Sequence, residues 1–241
     1  FCWQNINHDI LFNGNNISNN IEFDQYLKRL GYKFKNETNK LGGYVVLKNK
    51  KIKIIMDVGA NPNKKNSKDY QSGALSFEII SNGKKLISNS GYFPKRNFRL
   101  NKLSKTTASH NTLVIENYSS CKFTNSNLQV EEGLKIIKNN IIFEKNYWKI
   151  SAAHDGYLKK FNSTHEREVE FYPEQMKFIG SDTIIRKNIS KSIRFDIRFH
   201  LEPGIKVMKT KDNKSILIEL NNEGWKFTSN NFDINIDNGL Y

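Results

Sequence analysis

Beyond Tyr44 the chain is written at period two, and that periodicity limits what it can fold into. In ALSFEII, Leu75, Phe77 and Ile79 alternate with Ser76 and Glu78, the pattern of a half-buried strand. Asn82-Gly83 follows at once, a pair that favours the tight turn whose twist matches a hairpin, so KKLISNSG is expected to pair back antiparallel. YVVL, a turn at KNKK and IKIIMDVG make a second expected hairpin. HNTLVIE, HEREVEF, KFIGSDTIIRK, SIRFDIRFHLEPG, SILIEL, GWKFTS and FDINID continue the series, with a break at Pro173. KIIKNNIIFEKNYWKISAAHDGY holds two or three further strands, with Asn139-Asn140 read as a turn. Short strands with turn signals about every 8–12 residues and almost no helix predict an all-β fold, a large antiparallel β-sandwich. A propeller or solenoid requires an internal repeat, and the sequence shows none.

One segment reads as helix: IEFDQYLKRL, residues 21–30, with Phe23, Tyr26, Leu27 and Leu30 at helical spacing and Gly31 as its stop. Residues 1–42 are expected to be a short, mostly irregular lead-in and 43–241 one sandwich domain. The 241 residues are 37% hydrophobic, enough for a buried core. The first residue is not Met, FCWQNINHD has no charged-then-apolar leader pattern, and INIDNGLY stops abruptly. The expectation is a piece of a longer chain. No stretch approaches the ~18 apolar residues of a membrane span.

The formal net charge of +14 raises acidic polysaccharides and nucleic acids as partners. The positive charge is spread over many turns, and its basic loop lacks the regular array of exposed aromatics on which bases stack, so nucleic acid is not expected. Cys2 and Cys121 are the only cysteines and form no C-x-x-C motif, so no zinc knuckle or disulfide framework is signalled.

Candidate chemistry concentrates between Asp69 and Thr112. The hairpin there is expected to place Gln71, Asn89 and His110 near one another, beside a loop carrying Lys95, Arg96, Arg99, Lys102 and Lys105. Arginine and lysine there suit carboxylate or sulfate groups. None of His8, His110, His154, His165 and His200 pair at a metal-ligand spacing. His110, after TTAS and at the start of a strand, is placed to exchange a proton or hydrogen bond near neutral pH. His154 and His200 sit where strands meet turns and read as structural. No phosphate-binding glycine loop or G-x-S-x-G elbow occurs.

LSFEI, NGKKLISNSG, TTASHNTLVI, SAAHDGY, HEREVEF, RFHLEPGIKV and GWKFTS, in that order, resemble the C-terminal β-sandwich of heparinase II/III-like proteins, a group of polysaccharide lyases. The resemblance covers roughly residues 40–241. It implies an upstream (α/α) toroid domain of the same chain and β-elimination on an acidic polysaccharide such as a glycosaminoglycan or alginate. It also implies a periplasmic or secreted bacterial protein. The toroid supplies a Tyr and an Asn or His, and the sandwich supplies histidines and, in some members, a zinc site. Carried over by motif, His110 matches the histidine of the family's A-H-N-T strand and is the expected catalytic residue. Asn89 stands where several members have Asp, and Gln71 where many have His. With Arg99 and Lys105 they are the expected substrate contacts. Gln71 cannot shuttle protons and Asn89 lacks the charge a dication favours, which leaves two expectations: a lyase, inactive without its toroid, or a non-catalytic carbohydrate-binding or structural sandwich.

Overall fold

The computed structural model describes residues 20–31, 39–91, 97–187 and 192–238. The expected helix is α1 (Asn20–Arg29), ending where Gly31 takes a φ of +78°. The first sheet is antiparallel and follows chain order: β1 (Lys40–Leu41), β2 (Tyr44–Lys48), β3 (Ile52–Asp57), β4 (Phe77–Ser81) and β5 (Lys84–Ile87). The KNKK turn closes because the Asn49 side chain accepts from the N–H groups of Lys51 and Ile52 at 2.9 and 2.8 Å. At the β4–β5 turn Asn82 and Gly83 both have positive φ, +42° and +84°, the pair of left-handed residues that matches strand twist. β4 differs from its expected half-buried state, for all five of its residues are buried. Phe77 and Ile79 face the main core, while Ile80 packs with Val46 and Ile55 on the other face.

The expected basic loop contains a helix, α2 (Phe98–Ser104), started by the Asn97 side chain accepting from the Leu100 N–H at 3.1 Å, a standard N-cap. β6 (Leu113–Ile115) follows a single 3-10 turn over Thr107–Ser109, and β7 (Lys122–Phe123) with β8 (Val130–Glu132) forms a two-stranded ribbon. The second large sheet comprises β9 (Ile136–Phe143), β10 (Trp148–His154), β11 (Ser163–Tyr172) and β12 (Lys177–Arg186), in the order β12-β11-β10-β9, with the short helix α3 (Leu158–Phe161) before β11. Asn139 and Asn140 are not a turn: they lie inside β9, paired with Ala152 and Ser151. The reversal falls at residues 144–147, where the Glu144 N–H donates to the Tyr147 carbonyl at 3.0 Å, so cross-strand pairing overrides the local turn preference. β13 (Phe195–Ile197) pairs with β6, and β14 (Lys206–Lys209), β15 (Ser215–Leu220) and β16 (Glu223–Thr228) form an antiparallel meander. The expected strand FDINID joins no ladder; among its backbone bonds is Ile234 N–H to Asn213 O.

The core lies between the two large sheets, with the meander closing one end. Val45, Leu47, Ile52, Ile54, Met56, Phe77 and Ile79 meet Trp148, Ile150, Val169 and Phe171, and Ile216 and Ile218 complete the cluster. The ring of Phe171 stacks on Phe178 at 4.4 Å and contacts Trp148 at 4.9 Å. Each fully buried side chain of this size is worth roughly 1.5–3 kcal/mol in transfer from water. The inward face of the second sheet changes character along its strands. β10 reads Trp148, Ile150, Ala152, His154 and β11 reads Phe171, Val169, Arg167, His165, so one end of the core is apolar and the other polar.

Candidate functional site

Three loops converge at the polar end of the sandwich. The Ser72 N–H donates to the Lys105 carbonyl at 3.0 Å, and the Ser90 N–H to the Ser109 carbonyl at 3.3 Å. Gln71 Nε2 donates to the Gly91 carbonyl at 2.8 Å. The segments carrying Gln71, Asn89 and His110 are thereby brought together as the sequence predicts. Each of the three side chains is buried, and His110 is wholly enclosed. Gly73 makes that enclosure fit: a Cβ there would lie 3.0 Å from the His110 ring and 3.1 Å from Ser76 Oγ.

From Asn89 a chain of hydrogen bonds crosses the end of the core. Glu78 Oε1 accepts from the Asn89 backbone and side-chain N–H groups at 3.1 and 3.3 Å. Asn89 Oδ1 accepts from the Asn111 N–H at 2.9 Å, and Asn111 Nδ2 donates to the Phe77 carbonyl at 2.9 Å. The Asn111 carbonyl accepts from Arg167 Nη1, which also donates to Leu75 O at 3.0 Å. Arg167 Nε and Nη2 grip the two oxygens of Asp182 at 2.8 and 2.9 Å. Asp182 Oδ1 also bonds His165 Nε2 at 2.6 Å, and His165 Nδ1 lies 3.3 Å from His154 Nε2. His154 Nδ1 accepts from the Gly156 N–H at 3.0 Å. That last acceptor fixes the tautomers: with Nδ1 of His154 bare, its Nε2–H donates to His165 Nδ1, whose Nε2–H donates to Asp182. Both imidazoles are therefore neutral.

The protonation states follow from burial. Burial pushes the Asp182 carboxyl up, but the Arg167 guanidinium and the His165 bond more than offset it and hold it below the ordinary range. Burial lowers both His154 and His165, with His165 supported in part by Asp182. His110 falls to about 3, first by burial and then by the nearby His200, the Ser104 carbonyl opposing. Neither His110 ring nitrogen makes a hydrogen bond of standard geometry. Glu78 rises to about 7 through burial, against the Asn89 bonds and Lys85, and its Oε2 has no partner. A buried carboxyl with one unpaired oxygen favours its neutral form.

The other sequence candidates have separate fates. Lys105 is buried, and its ammonium donates to the carbonyls of Lys68 and Tyr70 at 2.6 and 2.7 Å, 5.2 Å above the Phe123 ring. It ties α2 to the loop before β4 instead of facing solvent. Arg99 is exposed on α2. Lys95, Arg96, His8 and Cys2 lie outside the described residues. Cys121 is a buried free thiol pushed up to about 11 by burial, far from a reactive thiolate. His200, read from the sequence as structural, is anchored at this end: its Nε2 donates to the Ala108 carbonyl at 3.1 Å and its N–H to Asn111 Oδ1. His165, Arg167, Asp182, Asn111 and Glu78 were not singled out from the sequence. Polar residues at period two among the core positions of β11 are the signal that marks His165 and Arg167.

The resemblance also implies zinc in some members. Among the described residues no group of three or more His, Cys, Asp or Glu side chains is placed to hold a metal. Gln71, Asn89 and His110 offer one imidazole and two carboxamides, and Asn89 Oδ1 already accepts from Asn111. Such a neutral, partly engaged donor set does not fit zinc.

The fold and this network define the class first: an all-β antiparallel sandwich with a buried polar wall across one end of its core. Residues 38–241 match the family described as heparinase II/III-like, C-terminal, and the chain belongs to that family. Among solved structures, it is similar to the heparan sulfate lyase HepC from Pedobacter heparinus, with a TM-score of 0.67 at 14% identity over 91% of this chain and 36% of that one. It is also similar to the heparinase III BT4657 gene product, with a TM-score of 0.66 at 15% identity over 90% and 35% of the two chains. A further heparinase III gives a TM-score of 0.60 at 19% identity over 88% and 35%. The chain thus spans about a third of the solved chains it matches. No curated protein matches it.

Proposed function

We propose that this chain is the β-sandwich part of a polysaccharide lyase that cleaves a uronic-acid-containing polysaccharide by β-elimination. One structural relative is a heparan sulfate lyase, which makes an acidic glycosaminoglycan the first substrate to test. In such a cleavage a base removes the proton beside the carboxylate, the bond to the glycosidic oxygen breaks as a carbon–carbon double bond forms, and that oxygen takes up a proton. The sandwich supplies one wall of the cleft, and an upstream toroid domain supplies the other together with the base.

The observation that supports this reading is the rigid seat of Asn89, held by Glu78 on one side and Asn111 on the other. A wall whose polar groups are pre-aligned loses little entropy when a ligand docks. His110, enclosed and neutral, acts as a positioning residue, setting the turn that aims the Asn111 N–H at Asn89. Gln71 does the same for Gly91. Arg99, exposed on α2, is the carboxylate or sulfate contact of this reading, screened by salt as exposed charges are.

The amides at Gln71 and Asn89 favour a second reading, a carbohydrate-binding sandwich without turnover. Incubating the full-length protein with heparan sulfate and following ultraviolet absorbance of unsaturated uronate separates the two. Turnover that falls on His110→Ala supports the lyase; retained binding of the polymer with no turnover establishes the binding module.

A further inference from the structure

A pocket of about 170 Å3 opens between the segment leaving β5 and the turn at His200–Pro203. Its lining includes Lys85, Asn89, Ser90, Gly91, His200 and Glu202. At about 30 Å3 per water it holds about six waters, and it is smaller than the roughly 300–1,000 Å3 clefts of drug-sized ligands. A single sugar ring is the right scale.

Its walls are fixed. Asn89 is bonded to Glu78 and Asn111, and His200 is held at three points: by its N–H to Asn111, its ring to Ala108 and its carbonyl accepting from the Ser88 N–H at 3.0 Å. With Nε2–H donating to Ala108, His200 Nδ1 is left as an acceptor. The charges are not self-satisfied. Lys85 and Glu202 line the same pocket, and both act electrostatically on the buried Glu78. Yet among the described residues neither the Lys85 ammonium nor the Glu202 carboxylate forms an ion pair, with the other or with anything else. A bland solvated turn brings no such fixed walls around a half-buried lysine.

We propose that this pocket is a subsite for one uronic acid unit, its carboxylate facing Lys85 and its hydroxyls donating to Glu202 and His200. The assignment rests on the reading of the chain as part of a lyase for acidic polysaccharide, and it adds Lys85, His200 and Glu202 to Asn89, the one lining residue carried over from the family. A point charge such as lysine neutralises a carboxylate without demanding paired geometry. The acceptors on the opposite wall complement the ring hydroxyls, which a neutral sugar shares but an inorganic anion lacks.

The test is calorimetric titration of the 241-residue chain and of the full-length protein with a glucuronate-terminated disaccharide, with cellobiose as the neutral comparison. The expected result is binding of the acidic disaccharide, weakened at least tenfold in Lys85→Met and less in Glu202→Gln, and little binding of cellobiose. Both side chains are outside the core, so unfolding curves should match the wild type. Equal affinity of wild type and Lys85→Met, equal affinity for cellobiose, or no binding overturns the subsite. Polymer turnover is read in parallel: turnover with Lys85-independent binding defeats the subsite alone. Lys85-dependent binding without turnover supports the subsite and defeats only the lyase reading.

Discussion

Arg167 and Asp182 lie directly across from each other on β11 and β12, joined by two parallel hydrogen bonds of 2.8 and 2.9 Å, with 1% and 7% of their side chains exposed. The two Nη1 hydrogens reach the carbonyls of Leu75 and Asn111, so one buried cation links the second sheet to the loops of the site. Removing one member of a buried pair leaves the other charge uncompensated, at about 3–5 kcal/mol. Arg167→Met is therefore expected to lose that much in urea unfolding, and Arg167→Met with Asp182→Leu to regain part of it. A single-variant loss below about 1 kcal/mol would show the pair is not structural.

Glu78 sets a pH dependence of stability. Its folded pKa of about 7 lies above the ordinary 4.5, so its contribution is complete below about pH 4.5 and is lost as pH rises through 7, on the order of 3 kcal/mol. Asp57, also raised to about 7 by burial, acts in the same direction. His110 acts oppositely: its folded value of about 3 lies below 6.5, so its contribution is complete above 6.5 and lost as pH falls toward 3. Glu78→Gln should flatten the loss between pH 4.5 and 7 and move the stability optimum upward in thermal melts. An unchanged profile would mean Glu78 does not ionise in that window.

Gly156 has no room for a side chain. A Cβ would lie 2.6 Å from the Ser120 carbonyl and 3.1 Å from His154 Nδ1, so Gly156→Ala is expected to cost about 1–3 kcal/mol. At Gly180, in β12, a methyl group would meet no other atom within 4 Å. Gly180→Ala should stay within about 0.5 kcal/mol of wild type, and similar losses at both sites would refute the packing argument.

The two basic residues assigned together by sequence should now behave differently. Lys105→Met strips a donor from two buried carbonyls and is expected to destabilise by about 1–3 kcal/mol. Arg99→Ala should leave stability within about 0.5 kcal/mol and lower polysaccharide affinity in a salt-dependent way. Affinity loss only in Lys105→Met would reverse the assignment.

Much of the fold was legible because period-two alternation and turn chemistry act locally. Asn82-Gly83 and HEREVEF before Pro173 became the expected turn and strand, while ALSFEII is strand only from Phe77 onward, with Ala74 and Leu75 in a turn and every strand residue buried. Asn139-Asn140 misled because a local turn preference yields to pairing with β10 along its length. The helix α2 was hidden in a loop-like run whose only cue was Asn97 as cap. At the site, sequence brought Gln71, Asn89 and His110 together but gave no sign of depth: the neutral state of His110 arises from burial, and the Lys105 ammonium faces carbonyls contributed by Lys68 and Tyr70, neither of which local sequence reveals. Arg167 and Asp182 were likewise invisible as a pair, since register, not spacing, sets them side by side.

The wall built around Asn89 is proposed to serve turnover of an acidic polysaccharide. The most direct measurement is kcat/KM for unsaturated uronate release from heparan sulfate by the full-length protein and its Asn89→Ala variant, with unfolding curves recorded on both. Turnover by the wild type and at least a tenfold loss in a variant that remains folded are expected. A wild type that binds the polymer without cleaving it, or a folded Asn89→Ala variant with undiminished kcat/KM, would contradict it.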